Sequence, residues 1–125
     1  MTEDEFQSAV IELAQRLGWL VAHFRPARTE HGWRTAVSGD GLGFPDLVLV
    51  RNTRLLFVEL KSERGRVRPE QALWLAALEV VAAAARGAVA AVDPGVAPNV
   101  AGLAVAVHVW RPSDWPAVER ELKAA

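Results

Sequence analysis

Two short apolar runs in the middle of the chain predict a pair of neighbouring strands. Residues 47–50 and 55–60 are rich in Val and Leu and are separated by the polar segment 51–54, a pattern typical of a β-hairpin. A loop of two residues or of four gives the same register, in which paired positions add up to 105. Strand side chains alternate between the two faces of a sheet. The register therefore places Asp46 directly opposite Glu59, on one face with Lys61.

Opposed acids at this position need a compensating charge. Directly opposed residues have Cβ atoms about 4.5–5.5 Å apart, and like charges at that distance destabilise a sheet. Two carboxylates and a nearby backbone carbonyl are the oxygen ligands that Mg²⁺ prefers. The pattern thus favours a divalent-cation site at Asp46 and Glu59, although a simple salt bridge between Asp46 and Lys61 would also account for these residues. A slip of one residue would send the two acids to opposite faces.

Periodicity in the rest of the chain predicts three helices and two further strands. Apolar residues recur at helical spacing over 3–17, a strand follows at 19–24, and a proline-initiated helix runs from Pro69 to a stop at Gly87. Residues 88–92 fit a strand or a further helical turn, 103–110 fit a final strand, and 117–122 fit a short helix. This order, αβββαβα, predicts a single α/β domain over 1–125 with a small mixed sheet flanked by helices.

Positive charge is concentrated around the predicted hairpin. Residues 25–68 hold nine of the 14 Lys and Arg and five of the 15 acids, whereas the remainder holds five and ten. Residues 25–43 are expected to form a long basic loop, and a second basic segment follows Lys61. Cations and an aromatic side chain can bind phosphates and stack on bases, although a plain solvated surface would show the same composition. The candidate nucleic-acid contacts are Arg25, Arg28, Trp33, Arg34, Arg64, Arg66 and Arg68.

Composition excludes several other classes of protein. The chain of 125 residues has a net charge of −1 and no cysteine. The absence of cysteine excludes disulfide frameworks and thiolate metal sites. Its three histidines lack the paired spacing of a zinc site. The first residues are acidic where a signal peptide is basic, and the apolar run at 82–92 is interrupted by Arg86 and shorter than a membrane span. We therefore expect a cytoplasmic protein with no membrane partner and no small-molecule cofactor.

Four sequence blocks together resemble one nuclease family. Asp46 after a proline, followed by Glu59-x-Lys61, resembles the signature of the PD-(D/E)xK nuclease superfamily. The blocks GFPDLVLV, FVELKSERG, PEQALWL and VWRPSDW are similar to the compact VRR-NUC proteins of phages and bacteria, which are related to Holliday junction resolvases. The resemblance extends from Phe6 to Leu122 and implies a restriction-endonuclease-like core. Residues 88–102 depart from the family pattern as an insertion.

The resemblance implies a role for each matching residue. Asp46, Glu59 and the backbone carbonyl of Leu60 would bind Mg²⁺, or Mn²⁺ in its place, and Lys61 would orient the attacking water or help to deprotonate it. Gln71 would support the site. An acid from the first helix completes the pattern, and we expect Glu5 to supply it, with Glu12 as the alternative.

The implied activity is hydrolysis of DNA. We expect a metal-dependent endonuclease that acts on branched DNA such as Holliday junctions, as a homodimer. A nonspecific nickase or exonuclease is a second interpretation, and a DNA-binding module that does not cut is a third.

Overall fold

The elements of the chain form a four-stranded mixed sheet with helices on both faces. The computed structural model describes residues 1–24, 37–124 and, for the backbone alone, 27–29 and 32–34. The three helices are α1 (Glu3–Arg16), α2 (Pro69–Ala91) and α3 (Trp115–Lys123), and the strands are β1 (Leu20–His23), β2 (Ala27–Thr29), β3 (Gly32–Arg34), β4 (Leu47–Arg51), β5 (Arg54–Leu60) and β6 (Ala104–Trp110). The predicted α/β class with a restriction-endonuclease-like core is confirmed.

The predicted hairpin register is also confirmed. Strands β4 and β5 pair antiparallel from Leu47 with Val58 to Arg51 with Arg54, and every pair adds up to 105. Asn52, in the two-residue turn, adopts a left-handed conformation with φ of 53°, which Asn tolerates better than most residues. The strand order is β1-β4-β5-β6, and β6 runs parallel to β5. A parallel neighbour requires a crossover connection, and α2 provides it.

One face of this sheet carries the hydrophobic core. Alternate residues of β4 and β5 are fully buried there, beginning with Leu47, Leu49, Leu56 and Val58. They pack against α1 and α3, whose buried side chains include Phe6, Val10, Val118 and Leu122. We call this the core face. Because side chains alternate along each strand, Asp46, Glu59 and Lys61 lie on the opposite face, which we call the site face.

Helix α2 packs on the site face and is longer than predicted. Gly87 does not stop it, and the helix continues to Ala91, so the ambiguous residues 88–92 form a further helical turn rather than a strand. A glycine inside a helix costs only about 1 kcal/mol relative to alanine, and the high helix propensity of the surrounding alanines offsets this cost. By length and composition α2 could cross a membrane, whereas the sequence had suggested an apolar run too short to do so.

The segment predicted as a long loop contains regular structure. Its residues 27–29 and 32–34 pair antiparallel as a separate two-stranded sheet, so the expectation of a continuous loop over 25–43 was wrong. The predicted order αβββαβα therefore lacked two strands. A strand of three residues is too short to be recognised by the alternation of apolar and polar residues. The sequence therefore did not predict β2 and β3.

A close backbone contact joins the loop before β4 to the first turn of α2. Gly43 has φ of 87°, and a Cβ built at this position would lie 2.6 Å from the backbone carbonyl carbon and oxygen of Glu70. Only glycine combines this conformation with so close an approach. The contact sets the distance between the residues that precede Asp46 and the helix that carries Gln71.

We predict that Gly43→Ala destabilises the fold much more than Gly39→Ala. Both glycines have positive φ, but nothing lies within 4 Å of a Cβ at Gly39. Gly39→Ala should therefore cost only the conformational strain of about 1–2 kcal/mol, and Gly43→Ala should add a steric clash to the same strain. Urea denaturation of the two variants measures the difference. Equal losses of unfolding free energy would show that the contact with Glu70 does not constrain the fold.

Candidate active site

A polar cleft opens at the end of the sheet where β4 begins and β5 ends. Its volume is about 620 Å³, enough to admit a phosphodiester group. It brings together residues from α1, β1, the loop before β4, the end of β5 and the start of α2. The lining residues are Glu3, Asp4, Gln7, His23, Phe24, Asp46, Glu59, Lys61, Arg68 and Gln71.

Two carboxylates form the floor of this cleft. Glu59 is 1% exposed, and one oxygen of Asp46 accepts a hydrogen bond from the backbone N–H of Leu60 at 2.8 Å. Glu59 Oε1 accepts a hydrogen bond from the side-chain amide of Gln71 at 3.3 Å. The other oxygen, Glu59 Oε2, is buried and has no hydrogen-bond partner within the described residues. An unsatisfied buried carboxylate oxygen is costly, so this atom needs either a proton shared with Asp46 or a bound cation.

Burial and the neighbouring Asp46 together shift the protonation of Glu59. Burial raises the pKa of Glu59 to about 9, and the neighbouring Asp46 adds to the rise through a hydrogen bond and through its charge. Lys61 and Arg68 oppose the rise without cancelling it. Without a further cation, the pair therefore retains a proton at neutral pH. This is the electrostatic conflict that the register predicted.

Lys61 and Gln71 form a second buried layer beside the acids. They are 8% and 6% exposed, and Lys61 Nζ donates a hydrogen bond to Gln71 Oε1 at 2.7 Å. The backbone N–H of Arg68 donates to the same oxygen at 2.9 Å. The amide of Gln71 thus contacts Glu59 through its nitrogen and Lys61 through its oxygen. This bridge fixes the relative positions of the carboxylate and the ammonium group.

Two acids of the first helix, Glu3 and Asp4, line the cleft, and Glu3 is the one whose pKa responds to the charge of Asp46. Burial, followed by the charge of Asp46, raises the pKa of Glu3. Glu5 does not line the cleft, because its carboxylate accepts a hydrogen bond from the backbone N–H of Thr2 at 2.8 Å and closes a capping box. The alternative, Glu12, forms an exposed ion pair with Arg16 at 2.7 Å. The structure therefore does not bring Glu5 or Glu12 together with Asp46 and Glu59.

Helical spacing contained the signal for Glu3. Glu3 lies three residues before Phe6, seven before Val10 and eleven before Ala14, and all three of these are buried against the sheet. It therefore continues the apolar stripe, which points its side chain towards the end of the sheet. Gln7 lies one turn further along and also lines the cleft. Sequence reasoning missed both residues.

The predicted nucleic-acid contacts are only partly described. Arg25 lies outside the described residues, and Arg28, Trp33 and Arg34 have a described backbone in β2 and β3 but no described side chain. Of the second basic segment, the exposed Arg68 lines the cleft and forms an ion pair with Glu70 at 2.8 Å. Arg64 and Arg66 are exposed and are not among the lining residues.

The loop that carries Arg64 and Arg66 is anchored to the body of the protein. Arg111, which follows β6, donates hydrogen bonds to the backbone carbonyls of Ser62 and Gly65, each at 2.7 Å. Two charge-assisted bonds from one guanidinium restrict the loop strongly. The basic segment therefore extends from a fixed position beside the cleft.

The donor set fits a hard divalent cation. Asp46, Glu59 and the carbonyl of Leu60 supply oxygen ligands, and Glu59 Oε2 is unsatisfied. Within the described residues no group of three or more His, Cys, Asp or Glu side chains is arranged to hold a metal ion. A cation bound by these atoms would thus complete its coordination with water or substrate oxygens, as Mg²⁺ commonly does.

Comparison with known proteins identifies one matching family. The model of the VRR-NUC domain matches residues 7–93 of the chain, a span that includes Asp46, Glu59, Lys61 and Gln71. It ends before β6 and α3. Among curated proteins, none matches the chain.

We predict that Glu59→Gln stabilises the metal-free protein at neutral pH. The pKa of Glu59 is raised in the folded state, so folding loses stability as pH rises from about 4.5 towards about 9. Gln is neutral throughout this range and escapes the loss. Thermal melting in EDTA should show a Tm about 5 °C higher for the variant at pH 8 and no difference near pH 4.

Addition of MgCl₂ provides the matching test of ligand binding. The metal should raise the Tm of the natural protein, since binding to the folded state alone stabilises it. It should leave Glu59→Gln nearly unchanged. A metal-induced shift of equal size in both proteins would exclude Glu59 as a ligand.

Proposed function

The chain belongs to the VRR-NUC domain family of nucleases, and on this premise we propose that it is a Mg²⁺-dependent deoxyribonuclease whose active site is the cleft at Asp46 and Glu59. The observation that carries the proposal is the buried Glu59, one oxygen of which has no hydrogen-bond partner among the described residues, beside the half-buried Asp46 and the buried Lys61. The preferred substrate in this proposal is branched DNA, in particular a Holliday junction. Mn²⁺ is expected to substitute for Mg²⁺.

The residues of the cleft would have separate roles in phosphodiester hydrolysis. Asp46, Glu59 and the carbonyl of Leu60 would hold the cation, which would polarise a phosphoryl oxygen and lower the pKa of a bound water. Lys61 Nζ is restrained by Gln71 at 2.7 Å, so it can orient the attacking water or help to remove its proton. Its positive charge also offsets negative charge that develops on the phosphoryl oxygens in the transition state.

The charge distribution supports a polyanionic substrate. Arg68 lines the cleft, and the exposed Arg64 and Arg66 follow the same strand. These side chains can neutralise phosphates on either side of the scissile bond, and such contacts make binding strongly dependent on salt. The competing proposals, a nonspecific nickase or exonuclease and a DNA-binding module that does not cut, use the same surface.

We predict that the purified protein cuts four-way DNA junctions in the presence of Mg²⁺ or Mn²⁺ and not in EDTA. Asp46→Ala should lower kcat about 10³-fold, since loss of the metal removes several kcal/mol of transition-state stabilisation. Lys61→Met should lower kcat without weakening DNA binding measured in Ca²⁺. The chain has one other lysine, Lys123, which is exposed, and Lys123→Met is the matched control that should cut normally.

The same assay separates the three functional alternatives. Linear, supercoiled, flapped and four-way DNA are compared at one salt concentration. Preference for the four-way substrate supports the proposal, whereas equal cleavage of every form identifies a nonspecific nuclease. DNA binding with no cleavage of any form would identify a binding module.

We predict that Glu3→Gln impairs cleavage and that Glu5→Gln does not. Glu3 lines the cleft, and the charge of Asp46 acts on it, whereas Glu5 caps α1. Loss of a group that supports metal ligands typically lowers affinity or activity about 10–100-fold, and we expect kcat to fall by that factor in Glu3→Gln. Glu5→Gln should lower only the Tm. The reverse pattern would restore Glu5 as the first-helix acid.

A further inference from the structure

One apolar side chain lines a cleft that is otherwise polar. Among the described residues that line it, Phe24 is the only one without a charged or hydrogen-bonding side chain. It is 42% exposed, and contact between an aromatic ring and water is unfavourable. The hydrolytic roles assigned above to the acids, the lysine and the amide leave this ring without a function.

The sheet places Phe24 directly beside the two carboxylates. Strands β1 and β4 pair at positions that add up to 70, and one further step of this register sets Phe24 opposite Asp46. The backbone N–H of Phe24 donates a hydrogen bond to the carbonyl of Asp46 at 2.9 Å. Directly opposed residues share a face, with Cβ atoms about 4.5–5.5 Å apart. Because the hairpin register sets Asp46 opposite Glu59 in turn, three neighbouring strands present a row of one ring and two carboxylates.

A cluster of aromatic rings fixes the position of Phe24. The ring of Phe44 lies at centroid distances of 5.5 Å from Phe24, 6.1 Å from Phe57 and 5.1 Å from Trp74. All three pairs are nearly perpendicular, which is a favoured arrangement of aromatic rings. Trp74 is itself anchored, since its indole N–H donates to the carbonyl of Asp40 at 2.8 Å. The ring of Phe24 is therefore supported on its protein side.

Packing between the sheet and α2 does not account for Phe24. Phe44 already connects Phe57 on β5 to Trp74 on α2, and these three residues are half-buried. Phe24 lies at the outer end of the cluster, where its exposed part borders the cleft. It thus presents a rigid aromatic surface to whatever occupies the cleft.

A nucleotide combines the two chemistries that this row of side chains can bind. Its phosphate suits a cation held by Asp46 and Glu59, and its base has a flat apolar face. Every base can stack on an aromatic side chain, because every base has a π-face. Neighbouring strands lie about 4.8 Å apart, so a phosphate at Asp46 and its attached base at Phe24 fit within the span of one nucleotide. A free phosphate would leave the ring unused, and a purely apolar ligand would leave the acids unused.

Stacking on Phe24 requires a base that is not already stacked in a duplex. Inside a continuous duplex a base must first be extruded, and the free energy for this step is lowest for a base that is already unpaired. A nucleotide at a branch point or in a single-stranded segment meets that condition. The ring therefore favours DNA that is locally open at the scissile bond.

We propose that Phe24 is a stacking platform for the base adjacent to the scissile phosphate, and that it makes the cleft selective for a phosphodiester beside an unstacked nucleotide. The proposal rests on the nuclease function proposed above and names the residue that determines which DNA the cleft accepts. Phe24 is a binding residue in this scheme, so its contribution is to affinity rather than to bond cleavage.

The first test removes the base and leaves the phosphate in place. The natural protein is used to map the cut in a four-way junction, and an abasic site is then placed on either side of that cut or four nucleotides away. Binding is measured in Ca²⁺ by fluorescence anisotropy. One of the two flanking abasic sites should weaken binding about 10-fold, the typical value of one stacked base, and the distant abasic site should leave the affinity unchanged.

The second test couples the base to Phe24. Phe24→Leu keeps an apolar side chain and removes the aromatic face, so it should bind the intact junction about 10-fold more weakly and no longer distinguish it from the abasic junction. Phe24→Tyr keeps the face and should behave as the natural protein does. Leu42→Ala is the control, because Leu42 is 63% exposed and does not line the cleft.

The outcomes separate this proposal from the nuclease function. If Phe24→Leu weakens binding to intact and abasic junctions equally, the ring serves packing alone and the proposal is overturned, whereas cleavage by the natural protein still supports a nuclease. Equal binding of the natural protein to intact and abasic junctions would overturn it in the same way. A natural protein that cuts no DNA would refute the nuclease function, and the stacking role with it.

Discussion

The repulsion between Asp46 and Glu59 is the constraint on which the site depends. The hairpin register brings the two carboxylates to one face of the sheet, and the register is held by the buried leucines and valines of the core face. A slip of one residue would relieve the repulsion but would expose the whole apolar set to water. Burial of the core thus supplies the free energy that keeps two acids together, and the raised pKa of Glu59 reflects first its own burial and then its proximity to Asp46.

The residues around the two acids hold Glu59 and Lys61 in fixed positions, as a binding site requires. Gln71 holds Glu59 with its amide nitrogen and Lys61 with its amide oxygen, so the position of α2 determines the geometry of both. The glycine contact at Gly43 in turn determines how closely α2 approaches the strand that follows Asp46. The cation-binding oxygens and the ammonium group are therefore positioned by the packing of one helix against one loop.

The sequence predicted those features that are governed by short-range periodicity. The alternation of Leu47, Leu49, Leu56 and Val58 was sufficient to give the register and the opposed acids. The choice among three consecutive acids in α1 depended instead on the phase of the helix against the sheet. Glu5 was favoured although its side chain is needed for the cap, and Glu3 was overlooked although it shares the stripe of Phe6.

The missing elements have a different physical cause. The strands β2 and β3 pair with each other. Segments of three residues are too short to show the alternation of apolar and polar residues by which a strand is predicted. Gly87 has a low helix propensity, but an alanine-rich helix already anchored on the sheet absorbs the cost. Local propensity is a weak guide wherever tertiary contacts decide the outcome, and both errors arose at such places.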